Sequence, residues 1–181
     1  MNKKCIMIAC AFFVAVALQA KVSLPAFFSD GMVMQQQSQA SLWGNASKGK
    51  IVEVTTGWDG QTYTTRADEQ GKWKLTVQTP AAGGPYDITF DDGERTRIKD
   101  ILMGELWICS GQSNMEMPMK GFKNQPVEDA NMDVLRSRNS QIRLFTVKRN
   151  SQFAPVDDVT GCWNHAEPKT CLLYTSDAAD E

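Results

Sequence analysis

Two stretches in the first hundred residues alternate strictly between apolar and polar side chains, at residues 72–78 and 86–91. A period of two predicts strands that bury one face and expose the other to water. A further run rich in β-branched residues begins at Ile51, and turn sequences that contain glycine separate the runs. Residues 21–100 are therefore predicted to form a small antiparallel β-sandwich.

The pattern changes after residue 100, where residues 106–109 are almost wholly apolar (Leu-Trp-Ile-Cys). A run of this kind predicts a strand that is covered on both faces, as in an α/β sheet. Trp107 is accordingly expected in the core. Cys109 is expected to be a buried free thiol, because cysteine behaves as a small apolar residue.

A helix is predicted from Pro126 to Arg136, because proline suits the first helical position and acidic residues follow it. Its inward face is predicted to comprise Val127, Met132 and Leu135. Residues 142–145 predict another strand. Strand, turn, helix and strand over residues 101–170 are typical of the opening of an α/β domain, so the expected fold class is β plus α/β.

The two ends of the chain are expected not to belong to this fold. Residues 1–20 combine a basic start, an apolar run and a small-residue exit, which predicts a secretory signal peptide and export to the periplasm or beyond. The apolar run is too short for a comfortable membrane span, so no span is expected after cleavage. Residues 171–181 resemble a translated sequencing adapter, which predicts that the chain is the front part of a longer gene product.

Composition excludes several classes of function. The 181 residues carry 19 Lys and Arg against 21 Asp and Glu, a net charge of −2, which excludes a nucleic-acid binder that works by bulk positive charge. The single histidine excludes a zinc site built on several histidines. Between the two ends lie two cysteines, Cys109 and Cys162, which do not make a disulfide framework; whether they pair stays open.

The stretch that carries chemistry is Gly111-Gln112-Ser113-Asn114-Met115. A serine just past a buried strand would lie at the carboxyl edge of the sheet, where α/β folds bind their ligands. Gly111 allows a sharp turn, and a helix that starts near Ser113 would favour negative charge there. The pattern differs from the G-x-S-x-G elbow, since position 115 is methionine.

This block resembles the first block of the SGNH-hydrolase superfamily and, more narrowly, the sialate O-acetylesterase family of carbohydrate esterases. The resemblance extends from about Val22 to Trp163, because further motifs follow in the family's order. These are residues 29–35 (SDGMVMQ), Leu42-Trp43-Gly44, Gly71-Lys72-Trp73, Gly83-Gly84-Pro85-Tyr86 and Ile142-Arg143. The resemblance implies that residues 101–170 are the start of a truncated SGNH-type α/β hydrolase domain.

The resemblance implies a serine esterase that removes O-acetyl groups from sialic acids through an acyl-enzyme. Ser113 would be the nucleophile, and Gly111, Gln112 and Asn114 would contribute to the oxyanion and substrate site. No metal or organic cofactor is implied. The family takes its catalytic histidine and acid from segments farther along, and His165 matches no catalytic block. The chain alone is therefore expected to have little or no activity.

Three alternatives remain open. The acetylated substrate is either a sialic acid or another glycan, such as acetylated xylan. Met115, Met117 and Met119 alternate, which is also typical of soft-metal binding in a periplasmic copper protein. Residues 21–100 could instead bind glycans on exposed aromatic side chains, with Trp43, Trp58 and Tyr63 as candidates, although a supporting role for the sandwich is favoured.

Overall fold

The computed structural model describes residues 21–111, 115, 117–119 and 121–173. The export signal predicted for residues 1–20 lies outside the described residues. The elements, in chain order, are β1 (Val33–Gln35), β2 (Gln39–Asn45), β3 (Ile51–Thr56), β4 (Thr62–Arg66), β5 (Lys72–Gln78), β6 (Gly83–Asp91), β7 (Arg95–Gly104), α1 (Ala130–Arg136), β8 (Asn139–Phe145), β9 (Trp163–Ala166) and α2 (Pro168–Leu173). Among the described residues, no helix is long and apolar enough to cross a membrane.

The first seven strands form two sheets that share one core. Five strands lie in the order β1-β7-β6-β3-β4, and β2 pairs with β5 in a separate two-stranded sheet. All of these pairs are antiparallel except β1 and β7, which run parallel. The expected purely antiparallel arrangement is therefore wrong at one edge of the larger sheet.

The alternating residues form the core, as their spacing predicts. On β5, Trp73 and Val77 are buried while Lys72 and Lys74 are exposed. The Trp73 ring packs against Phe90 of β6 with 5.8 Å between centroids, which joins the two sheets. Burying a side chain of this size stabilises the fold by roughly 2–3 kcal/mol, so these apolar positions set the register of each strand.

The strand β7 crosses the boundary expected at residue 100. Its residues Ile101 and Met103 are buried in the same core as the earlier strands. The β-rich part of the fold thus extends through Gly104. At the other end, α2 runs past residue 170, so the first residues of the predicted tail continue a helix.

The second half departs further from its prediction. The strand β8 confirms the strand expected at 142–145, but it pairs antiparallel with β9. The described residues contain no parallel βαβ unit, because β8 pairs with no strand that precedes α1. An α/β half is therefore not observed in this part of the chain.

The predicted helix is shorter than expected and buries a different face. It begins after Asp129, which adopts a left-handed conformation with φ of 56°, and it ends at Arg136. Ala130 and Val134, one helical turn apart, are its buried residues, whereas Met132 and Leu135 are exposed. The prediction of Met132 and Leu135 as inward residues is wrong, because the face that packs inward is the i, i+4 stripe of Ala130 and Val134.

An aromatic cluster attaches β8 and β9 to the β-rich part. Phe27 contacts Phe145 of β8 and Trp163 of β9, with centroid separations of 5.5 and 5.2 Å. Trp163 Nε1 donates to the carbonyl oxygen of Phe27 at 2.8 Å. Such contacts add specific geometry to apolar burial, so the β8–β9 pair is fixed against the segment that contains Phe27.

Candidate functional site

The candidate site begins where β7 leaves the larger sheet. The parallel partner β1 ends at Gln35, which pairs with Gly104, the last residue of β7. In the sequence, the residues that follow Gly104 lead to Ser113. The end of β1 and the exit of β7 thus lie side by side at one edge.

Two glutamine side chains hold the start of this exit segment. Gln35 Nε2 donates to Glu105 Oε2 at 3.0 Å, and Gln36 Nε2 donates to Glu105 Oε1 at 2.7 Å. Gln35 Oε1 also accepts the backbone N–H of Leu106 at 2.9 Å. We call Gln35, Gln36 and Glu105 the glutamine bracket. The amide groups of Gln35 and Gln36, in that order of effect, hold the pKa of the Glu105 carboxyl below its ordinary value.

The strand predicted at residues 106–109 is not formed. Trp107 and Ile108 expose 82% and 90% of their surface, and Cys109 is exposed. The prediction that Trp107 belongs to the core and that Cys109 is buried is therefore wrong. The reason is that β1 ends at Gln35, so the described residues offer no neighbouring strand for 106–109 to pair with. Cys109 and Cys162 are both free thiols.

Three of the four predicted site residues, Gln112, Ser113 and Asn114, lie outside the described residues. Gly111 is described and exposed. A Cβ atom at Gly111 would lie 2.7 Å from Met115 Cγ, so a larger residue would displace that side chain. The catalytic and binding roles of all four residues stay predictions.

A charged cluster that the sequence did not reveal is centred on Asp100 of β7, four residues before the end of that strand, and takes its other members from β8 and β9. Arg143 Nη2, on a side chain only 3% exposed, donates to both carboxylate oxygens of Asp100 at 3.1 and 3.2 Å. His165 Nε2 lies 3.4 Å from Asp100 Oδ2. His165 belongs to β9, and its side chain is 52% exposed. Two features of the sequence could have indicated the cluster. Asp100 directly precedes an apolar run that begins at Ile101, and Arg143 lies between apolar residues of β8.

The candidate glycan platforms are not free aromatic surfaces. Trp43, Trp58 and Tyr63 are each half-buried. Trp43 Nε1 donates to the Asp157 carbonyl at 2.9 Å, and Trp58 Nε1 donates to the Gln78 carbonyl at 3.0 Å. These contacts favour the supporting role expected for the β-rich part.

The methionine row also gains no neighbouring ligands from the described residues. Met115 and Met119 are exposed, and Met117 is half-buried. Within the described ranges, no group of three His, Cys, Asp or Glu side chains could hold a metal ion. The copper alternative stays a prediction that rests on the sequence pattern alone.

The chain matches no protein-family model. It is 28% identical over 144 residues to the sialate O-acetylesterase of Mus musculus, which covers 74% of this chain and 26% of that protein. It is 29% identical over 131 residues to the sialate O-acetylesterase of Homo sapiens, which covers 67% of this chain and 24% of that protein. The chain is homologous to the sialate O-acetylesterases.

A solved structure agrees with this relationship. A carbohydrate acetylesterase from Xanthomonas citri superposes with a TM-score of 0.77 at 31% identity, covering 86% of this chain and 35% of that one. The chain spans about a quarter of the length of the curated sialate O-acetylesterases that it matches. The shared part thus includes the β-rich fold and extends over most of the chain.

Proposed function

We propose that this chain carries the nucleophile of an exported esterase that removes acetyl groups from carbohydrates, with O-acetylated sialic acid as substrate. One observation carries the proposal: the Gly111–Met115 sequence follows the exit of β7 in a chain homologous to sialate O-acetylesterases. Serine is weak as a nucleophile unless a base accepts its proton, so the proposal requires such a base.

In the proposed reaction, Ser113 Oγ attacks the acetyl carbonyl carbon while the base takes the hydroxyl proton. The backbone N–H of Ser113 stabilises the oxyanion, and Gly111, Gln112 and Asn114 shape the acetyl pocket. The sugar hydroxyl leaves with the proton, and water then releases acetate from the acyl-enzyme. A single oxyanion donor contributes on the order of 10²–10³ in rate.

The base is not assigned to His165. That histidine belongs to β9, lies beside Asp100 of β7, and matches no catalytic block. Because the chain spans about a quarter of its curated relatives, we place the base and its acid partner in the additional length of such a protein. The 181-residue chain alone is then expected to turn over esters very slowly.

Chemical rescue tests the nucleophile without that base. The 181-residue chain is incubated with an aryl acetate, with and without added imidazole, and the acetylated residue is located by peptide mass spectrometry. We expect imidazole-dependent acetylation of Ser113 that disappears in Ser113→Ala. The matched control is Ser110→Ala, which removes the other serine of the segment and should leave the labelling unchanged. Equal labelling of both serines, or none at either, would contradict the proposal.

A second substrate class has one observation in its favour: the similar solved structure is a carbohydrate acetylesterase whose name specifies no sialic acid. An acetylated polysaccharide such as xylan is therefore the alternative substrate. Competition separates the two, since the preferred sugar should protect Ser113 from the aryl acetate at lower concentration. Stronger protection by acetylated xylan fragments than by O-acetylated sialic acid would favour the alternative.

A further inference from the structure

We propose that Gln35 and Gln36 are positioning residues that fix the direction in which the serine-bearing segment leaves the sheet. The inference rests on the proposed function, because it gives these side chains a role in placing Ser113. They act through Glu105 and Leu106, and they need not touch a substrate.

Both glutamine amides use their donor and their acceptor within this arrangement. Gln35 donates to Glu105 and accepts from the Leu106 N–H. Gln36 donates to the other oxygen of Glu105 and accepts from the Ala82 N–H at 2.8 Å. Each amide therefore has one required orientation, because a flipped amide would face donor with donor. The bracket ties the exit of β7 to β1 and to the residue before β6.

The bracket begins where the backbone ladder stops. The last backbone contact between β1 and β7 is the Gln36 N–H, which donates to the Gly104 carbonyl at 2.9 Å. One residue pair farther on, the Gln35 side-chain carbonyl takes the place of a strand carbonyl and accepts the Leu106 N–H. The side chains thus extend the pairing where the strand itself has ended.

The base of the bracket is itself held rigidly. Thr79 is 2% exposed, and its hydroxyl donates to the Gln35 carbonyl at 2.7 Å. The same hydroxyl oxygen accepts the Ser38 N–H at 2.9 Å, and the Gln37 N–H donates to the Pro80 carbonyl at 2.8 Å. A side chain can orient a neighbouring segment only when its own backbone is fixed, and this turn meets that condition.

The position of the bracket suits a role in catalysis. Glu105 precedes Ser113 by eight residues in the sequence. Residues 107–110 between them are exposed, so the described part of the chain provides little packing to orient them. Displacing a nucleophile by about 1 Å can cost on the order of 10²-fold in rate. The bracket is the polar contact that sets where this segment starts.

A charge swap in the full 181-residue chain tests the inference. Gln35→Glu places a second carboxylate against Glu105, whereas Gln35→Glu with Glu105→Gln restores an amide–carboxylate contact with the partners exchanged. The measurement is amide hydrogen exchange over residues 106–111, compared with β2 as a reference for global folding. Gln37→Glu is the matched control, because it adds the same charge in the same glutamine run outside the bracket.

We expect Gln35→Glu to accelerate exchange over 106–111 on the order of tenfold, because the donor to Glu105 is lost and two carboxylates then face each other, while β2 keeps its protection. In the double variant, the exchange rate over 106–111 should return to within about twofold of the wild-type rate. A general loss of structure caused by the substitution at Gln35 would not be reversed by a second substitution at Glu105. Imidazole-dependent acetylation of Ser113 should fall and recover in parallel.

Unchanged exchange in Gln35→Glu, or no recovery in the double variant, would overturn the inference. The exchange result does not depend on acetylation. A wild-type chain that is never acetylated would therefore count against the proposed function, while the exchange data would still decide the bracket.

Discussion

The pair between Asp100 and Arg143 should contribute to the attachment of β8 to the β-rich part, in addition to the aromatic cluster. Replacing Asp100 by asparagine removes the carboxylate charge but keeps the size and one acceptor oxygen for Arg143 Nη2. Asparagine also tolerates the left-handed backbone at this position, where φ is 57°. The substitution therefore isolates the charge from the shape and from the backbone conformation.

The size of the effect follows from distance and burial. At 3.1 Å and an effective dielectric constant near 20, the gross attraction is about 5 kcal/mol. Desolvation of Arg143, whose side chain is 3% exposed, offsets much of it. Asp100 is 39% exposed, which places the pair between an exposed bridge and a buried one. We expect Asp100→Asn to lower the free energy of unfolding by about 2 kcal/mol.

Two further variants make the reasoning testable by urea unfolding, followed by fluorescence and circular dichroism. Asp100→Ala should cost about 1 kcal/mol more than the asparagine variant, because alanine is disfavoured at positive φ and leaves Arg143 without this acceptor. His165→Gln should change stability by less than about 0.5 kcal/mol at neutral pH, since its side chain is 52% exposed. An asparagine variant as stable as the wild type would refute the assigned role of the charge.

Two other outcomes follow from the same structure. Gly44→Ala should destabilise the fold by roughly 2–3 kcal/mol, because a Cβ there would lie 2.5 Å from the Ser23 carbonyl oxygen and 3.0 Å from the Trp73 ring. Calorimetry measures the loss of Tm, and the control is Gly49→Ala, where space is open but φ is positive. A Tm loss in Gly44→Ala no larger than in this control would argue against close packing at Gly44. The Glu105 carboxyl has a lowered pKa in the folded state, so the stability that it contributes is present above its unfolded pKa and is lost as the pH falls through its folded pKa. Removing one amide donor in Gln36→Ala should raise the folded-state pKa of Glu105, which NMR titration measures. An unchanged pKa would contradict the contacts of the glutamine bracket.

The strands of the β-rich part could be predicted because their signal is local. On β5, the alternation of Trp73 and Val77 with lysines states directly which side chains face the core. The aromatic attachment of Phe27 to Trp163 could not be predicted, because these residues are 136 positions apart and neither belongs to a periodic run. Local periodicity defines an element and its buried face, while the partner of that face is fixed by the tertiary fold.

The errors in the second half have the same physical origin. Residues 106–109 carry the composition of a buried strand, yet a strand needs neighbours, and β1 ends before it could pair with them. The apolar side chains of Trp107 and Ile108 consequently face solvent in this structure. Their sequence indicates an environment that the described residues do not supply. The composition of a segment indicates whether it would be stable as a buried strand, but whether neighbouring strands cover it depends on the tertiary fold.

The parallel pairing of β1 with β7 brings two segments that are far apart in the sequence, residues 33–35 and 102–104, to one edge of the sheet. Parallel neighbours end at the same edge of a sheet, so the carboxyl end of β1 and the exit of β7 are adjacent. The glutamines at the first end can then reach Glu105 across a sequence separation of 70 residues. An antiparallel partner would instead present its amino end at that edge. The geometry of this one strand pair therefore places Gln35 and Gln36 next to Glu105, which precedes Ser113 by eight residues in the sequence.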